Sequence, residues 1–287
     1  MSDPASIDAA TALRWNDPPE DATIAATLAR ADELVAAGPT EPGRLISLLD
    51  LTTLEGSDTP AVVTALCRRA LQPDSDGQGP VAAVCVYPSL VPTAVAALDD
   101  SPVRVASVAG AFPSGLSPLQ VRLADIEAAV AAGADEVDIV LDRSAFLSDQ
   151  RARAHGDLVA SVAAAEGRHV KVILEVGELV TAERIHAAAL LAMAAGAHFV
   201  KTSTGKIPAA ATPESVACMA HAIHRFEAET GRQVGLKVAG GVRTYHDAAR
   251  YAAIVAAVLG ADRIEPDWFR IGASSLLDAL LAARSTT

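Results

Sequence analysis

Only four of the 23 basic residues in this chain are lysine, and the other 19 are arginine. Lys171, Lys201, Lys206 and Lys237 all lie in or just after apolar, strand-like runs. An ammonium group resists burial. Arginine stays charged at working pH and cannot act as an amine nucleophile. Lysines kept in such runs therefore fit work that needs an amine. Lys201 stands in His198-Phe199-Val200-Lys201-Thr202-Ser203-Thr204-Gly205-Lys206, and Lys237 in Gly235-Leu236-Lys237-Val238-Ala239-Gly240-Gly241-Val242-Arg243. Asp138 stands in Glu136-Val137-Asp138-Ile139-Val140-Leu141. Alternation along a strand turns each of the three to one side, with apolar neighbours on the other.

Two amines and a carboxylate brought together have a defined chemistry. A cation beside a lysine lowers that lysine's pKa, and a neutral amine can attack an aldehyde or ketone to form a Schiff base. The protonated imine draws electrons from the neighbouring carbon–carbon bond, while a carboxylate moves the protons. A buried ion network that only joins strands is the plainer alternative. Such networks stabilise poorly, and two amines per carboxylate leave a surplus positive charge. These residues alone do not decide which lysine attacks.

A second set of residues suits a phosphate. Gly205-Lys206, Gly240-Gly241-Val242-Arg243 and Gly272-Ala273-Ser274-Ser275 combine glycine amides, cationic donors and a helix start, the materials of an anion cradle. Thr204-Gly205-Lys206 is not a nucleotide-binding loop of the Walker kind, because Ile207 follows the lysine and the upstream glycine is missing. His221 and His224, three apart on an expected helix, and His186 and His246 read as packing or solvated residues. Glu175 and Glu178, around Gly177, are weaker candidates to line the site. Cys85 reads as a small core residue, although a thiol at a strand end could meet an aldehyde. Lys171 reads as a charge partner of Asp138.

The elements needed to hold these groups recur with a regular rhythm. Strand-like runs are expected at 46–51, 81–87, 103–109, 136–141, 170–176, 198–204, 235–239 and 269–272. Helical stretches are expected at 60–71, 92–98, 118–132, 152–166, 181–195, 213–230, 244–259 and 275–284. Several helices open after Thr or Pro and close on Gly133, Gly167, Gly196, Gly231 or Gly260. Eight strand–helix units predict an α/β protein, a single (β/α)8 TIM barrel over 45–287. Its strand ends bring Asp50, Thr52, Asp138, Lys201 and Lys237 to one face. An open doubly wound sheet is disfavoured, because Leu51-Thr52-Thr53-Leu54-Glu55-Gly56 carries no nucleotide turn after the first strand. Residues 1–44 read as an extension holding one helix, 21–37.

Composition narrows the partners. The net charge of −12 and an aromatic content of 3% disfavour nucleic acid and anionic membranes. No apolar run approaches the length of a membrane span, and the first residues do not resemble a secretory signal. Three widely spaced cysteines fit neither a disulfide framework nor a zinc pattern. Together these features lead us to expect a soluble cytoplasmic protein without nucleic-acid or membrane partners. Alanine-rich helices, expected at the surface, are compatible with a homodimer.

The segments Val200–Lys206, Gly235–Thr244, Asp50–Leu54, Glu136–Val140 and Arg270–Ser275 together resemble the deoxyribose-phosphate aldolases. Cys85-Val86-Tyr87-Pro88, Gly110-Ala111-Phe112-Pro113 and Gly177-Glu178-Leu179 match as well, so the likeness runs from about Leu45 to Leu277. The resemblance implies that Lys201 forms the Schiff base, and that Lys237 tunes it and relays protons with Asp138. It implies a phosphate held by Gly205, Lys206, Gly240, Gly241, Arg243, Ser274 and Ser275. Asp50, Thr52, Cys85, Thr204 and Gly272 fall in the same matching segments, Lys171 falls within the span of the likeness, and all six are expected to line the substrate site. The implied substrates are a sugar phosphate and aldehydes, the implied reaction is reversible cleavage of 2-deoxy-D-ribose 5-phosphate, and neither cofactor nor metal is implied. The sequence departs from the pattern at Val238 (often proline), Val176 (often threonine), Ala210 (often asparagine) and in lacking a terminal tyrosine. Another lysine-dependent aldolase or transaldolase, and a silent sugar-phosphate binder on the same barrel, are the competing readings.

Overall fold

The computed structural model describes residues 7–74 and 77–285. Three helices precede the first strand: α1 (Ala9–Leu13), α2 (Asp21–Ala37) and α3 (Pro42–Ile46). The strands are β1 (Leu49–Thr52), β2 (Ala83–Val86), β3 (Arg104–Ala109), β4 (Glu136–Val140), β5 (His169–Ile173), β6 (Phe199–Lys201), β7 (Gly235–Ala239) and β8 (Phe269–Ala273). Between β1 and β4 lie α4 (Pro60–Leu71), α5 (Val91–Ala97) and α6 (Leu119–Ala131). The pair α7 (Arg143–Leu147) and α8 (Arg151–Ala164) follows β4, and α9 (Val176–Leu179) and α10 (Ala182–Ala194) follow β5. Then come α11 (Pro213–Thr230), α12 (Tyr245–Leu259) and α13 (Leu276–Arg284).

All eight strands are parallel and close in sequence order, β1 pairing with both β2 and β8. This is the expected (β/α)8 barrel. Val84, Val137, Val172, Val200, Leu236 and Ile271 pack the main apolar core, alternating with the interior residues of their strands. The expected caps hold: the hydroxyls of Thr59, Thr181 and Thr212 each accept an N–H from the first turn of α4, α10 and α11. Gly133, Gly167, Gly196, Gly231 and Gly260 all have positive φ after their helices.

The structure corrects several expectations. The extension holds two helices ahead of Pro42, not one. In α1 the Asp8 carboxylate accepts the Thr11 N–H and hydroxyl, supplying a cap to a segment too short to read by periodicity. A third helix, the short α3, opens on Pro42 in its first turn and takes up Ile46, expected at the start of the first strand, which begins only at Leu49. Strand β6 stops at Lys201, leaving Thr202 to Thr204 in the loop that follows. Helix α10, alanine-rich and expected at the surface, is buried from Ile185 to Ala194 under α1, α8 and α11. Its apolar face is therefore covered within the chain. Among the described residues, no helix is long and apolar enough to cross a membrane.

Candidate active site

Interior positions of a barrel of this size are usually filled by branched apolar residues. Here β1, β4, β5, β6, β7 and β8 fill theirs with charge. Asp50, Glu136, Asp138, Lys171, Lys237 and Arg270 are buried, and Lys201 lies at the upper edge, 3% exposed. Register explains the convergence: Asp138 pairs with Lys171, Lys201 with Lys237, and Lys237 with Arg270 on neighbouring strands.

Asp138 is the hub. Its Oδ2 accepts from Lys201 Nζ at 2.8 Å and from Lys237 Nζ at 2.7 Å, and its Oδ1 accepts from Lys171 Nζ at 2.9 Å. Lys237 also donates to Asp50. The other oxygen of Asp50 accepts from Arg270 at 2.6 Å, and Arg270 reaches Glu136 at 3.0 Å. Lys171 closes the circuit by donating to Glu136. Three carboxylates thus face four cations. If every group were charged, the interior would carry an unpaired positive charge, which a low-dielectric site disfavours. One neutral amine restores balance.

The geometry distinguishes the two amines beside Asp138. Lys237 shares two carboxylates and Lys201 only one. Burial disfavours the Lys237 cation, but Asp138 and Asp50 outweigh it and push its pKa up. Burial likewise works against the Lys201 cation; Asp138 opposes this, the Lys237 charge adds to it, and the net result is a lowered pKa. The Lys171 amine is pushed up, burial being outweighed by Asp138 and Glu136. The carboxyls of Asp50 and Asp138 are held below the usual range: burial raises them, and the surrounding cations more than reverse it. Glu136 is pulled down to about 2 in the same way, mainly by Lys171 and Arg270.

The remaining expected residues divide by position. Lys171 and Asp50 are wholly buried, Lys171 donating to Asp138 and Asp50 accepting from Lys237, as charge partners do. Cys85 is buried with Leu54, Ala106 and Val108, and burial pushes its thiol up. Thr52 donates its hydroxyl to the Asp50 carbonyl at 2.8 Å. Gly272 has a packing role: a Cβ there would stand 3.0 Å from Lys237 Cε, so glycine makes room for that side chain. Thr204 donates its hydroxyl to Glu175. Above them Gly205, Lys206, Gly241, Arg243, Ser274 and Ser275 are exposed, and Gly240 is half-buried. Gly205, Gly240 and Gly241 have φ of +77°, +83° and +81°, a left-handed backbone that presents successive N–H groups to one side. Ala210 packs beside both Gly240 and Gly241. Ser275 occupies the N-cap position of α13 without a side-chain capping bond, and the N-terminus of α13 follows β8 at the same rim. Lys206 Nζ lies 2.9 Å from the exposed Glu55.

Two members of the cluster, Glu136 and Arg270, were not expected from the sequence. Glu136 shares the strand face of Asp138 two residues away, and that spacing is the signal that could have found it. Arg270 precedes Gly272 by the same interval. Among the histidines, His186 bonds Asn16 and His221 bonds Thr27, both at 3.0 Å, so they tie the N-terminal extension to the barrel helices.

The sequence model of the DeoC/LacD family aldolases matches residues 44–282. A Mus musculus protein named deoxyribose-phosphate aldolase is 41% identical over 246 residues, covering 82% of this chain and 77% of that one. A Caenorhabditis elegans relative, provisionally given the same name, is 41% identical over 241 residues, 83% of this chain and 80% of its own. The solved tetrameric deoxyribose phosphate aldolase from Aeropyrum pernix is 27% identical with a TM-score of 0.69, covering 94% of this chain and all of that one. With a family match over most of its length and relatives at this identity, the chain belongs to the DeoC/LacD family of aldolases.

Proposed function

We propose that this protein is a deoxyribose-phosphate aldolase, reversibly cleaving 2-deoxy-D-ribose 5-phosphate to D-glyceraldehyde 3-phosphate and acetaldehyde through a Schiff base on Lys201. The observation that carries the assignment of Lys201 is the unequal sharing of Asp138. Lys237 holds Asp50 as a second carboxylate, whereas Lys201 has Asp138 alone and the only partial exposure of the two. The aldolase relatives support the substrate, as does the rim of left-handed glycines, Lys206, Arg243 and a helix N-terminus around the buried amines.

In the cleavage direction the neutral Lys201 amine attacks C1 of the open-chain sugar. The carbinolamine takes up a proton and loses water, leaving a protonated imine. Loss of the proton from the C3 hydroxyl breaks the C2–C3 bond, the electron pair passing into the imine to give an enamine. The three-carbon aldehyde phosphate departs. A proton added at C2 restores the imine, and water releases acetaldehyde and the free amine. Asp138, within hydrogen-bond reach of both Lys201 and Lys237, is placed to relay these protons. Lys237, held cationic by two carboxylates, keeps Lys201 deprotonated. The three free, buried cysteines fit a reducing, cytoplasmic setting.

Reduction with borohydride in the presence of acetaldehyde tests the assignment. A two-carbon adduct should map to Lys201. An adduct on Lys237, or active protein that yields none, refutes it.

A further inference from the structure

Glu175 is 1% exposed, yet among the described residues it makes no ion pair, unlike the buried carboxylates of the central cluster. Its backbone is left-handed, with φ +58° and ψ +65°, where β5 gives way to α9. A side chain other than glycine, asparagine or aspartate is uncommon there, and the conformation persists only when its surroundings enforce it. The partners of its carboxylate all belong to one residue. The Thr204 N–H donates to its two oxygens at 3.2 and 3.3 Å, and the Thr204 hydroxyl donates to Oε2. Thr204 Oγ1 in turn accepts the Lys206 N–H at 3.1 Å. The Val176 N–H adds a backbone tie to the Thr202 carbonyl at 2.9 Å. Thus the amides on either side of Gly205 are engaged, and the Gly205 N–H between them has no protein acceptor among the described residues.

We propose that Glu175 is a positioning residue for the phosphate end of the substrate, fixing Thr204 so that the Gly205-Lys206 turn is already shaped to receive an anion. The inference rests on the phosphate-site reading given above. A carboxylate suits the task because its two oxygens accept an N–H and an O–H together, and charge strengthens both bonds. Its own charge is spent on these donors and lies behind Thr204. A loop shaped before binding need not be ordered by the ligand, so losing the clamp should appear in affinity for the phosphate and leave the carbon–carbon chemistry on Lys201 intact.

The test compares 2-deoxyribose 5-phosphate with unphosphorylated 2-deoxyribose in the wild type, Glu175→Gln, Glu175→Ala and Thr204→Val. For the phosphorylated sugar, KM should rise roughly ten-fold or more in the last two variants, a larger change than any in kcat. In each variant the unphosphorylated sugar should lose far less kcat/KM than the phosphorylated one, so the preference for phosphate collapses. Inhibition by inorganic phosphate should weaken in parallel. Glu175→Gln, which keeps the shape and one acceptor oxygen, should lie between wild type and Glu175→Ala. Should Glu175→Ala fail to fold, Glu175→Gln and Thr204→Val carry the comparison. If both sugars lose activity equally, or the preference for phosphate survives in Glu175→Gln and Thr204→Val, Glu175 only joins two loops and the inference is wrong. A wild type with no preference for the phosphorylated sugar would overturn the phosphate-site reading, and this inference with it.

Discussion

At the scale of residues, the proposed function turns on two lysines that differ by one carboxylate. Both donate to the same oxygen of Asp138, and only Lys237 also holds Asp50. That asymmetry favours the cation on Lys237 and disfavours it on Lys201. Lys237→Leu removes the cation that disfavours protonation of Lys201. Lys201 then keeps its proton to higher pH, so the acidic limb of the kcat/KM profile should move to higher pH. Loss of the proton relay should also lower kcat roughly a hundred-fold or more. A pH–rate series on the variant measures both, and an unmoved acidic limb would separate Lys237 from the tuning of Lys201. Scarcity made this pair legible in the sequence, since in a chain dominated by arginine each lysine stands out. Arg270 had no such mark, being one arginine among 19, and the pairing with Asp50 and Glu136 that gives it meaning exists only once β8 closes against β1 and β7.

At the scale of elements, short strands bring these groups together, and their fit depends on one missing side chain. Phe199 and Gly235 are register partners on β6 and β7, one pleat below Lys201 and Lys237. A Cβ on Gly235 would fall 2.3 Å from the Phe199 ring. The ring therefore fills the space of both positions and lies under Arg270, whose guanidinium carbon is 5.9 Å from its centroid. Gly235→Ala overfills this layer and should lower stability by about 1–3 kcal/mol. A denaturant titration should register the loss, and Phe199→Leu in the same chain should recover part of it, because the two changes share one space. If Gly235→Ala is as stable as the wild type, the layer is looser than this contact implies. The barrel itself was readable, since eight apolar runs alternate with capped helices and the glycine stops are strong local signals. The short pieces were not. Helices α7 and α9 are five and four residues long, less than the periodicity of a helix can reveal. The left-handed turn at Glu175 is imposed by contacts with the β6 loop, which lies 29 residues further along the chain.

At the scale of the whole molecule, the N-terminal extension belongs to the packed structure. Helix α2 buries Ile24, Thr27 and Ala31 against α11 and α12, and Trp15 meets the edge of Phe226 on α11 with ring centroids 6.1 Å apart. The polar anchors of this seam include His186 and His221. Burial pulls the His186 imidazole down to about 4, although Asp17 nearby opposes the shift; His221 and Arg225 reinforce it. Above pH 6.5, the ordinary value, this histidine is neutral whether the chain is folded or unfolded, and its shift has no effect on stability. Below that pH the unfolded chain takes up a proton that the folded chain refuses. Stability therefore falls as the pH drops from 6.5 toward 4 and levels off once both forms are protonated. At pH 5 the loss attributable to His186 reaches up to about 2 kcal/mol. In His186→Gln the amide can still bond Asn16 but does not titrate. Urea denaturation should give this variant nearly wild-type stability at pH 7 and a shallower decline to pH 5. An equal decline in both proteins would mean that His186 titrates normally and that the seam over α10 opens to water before the barrel unfolds.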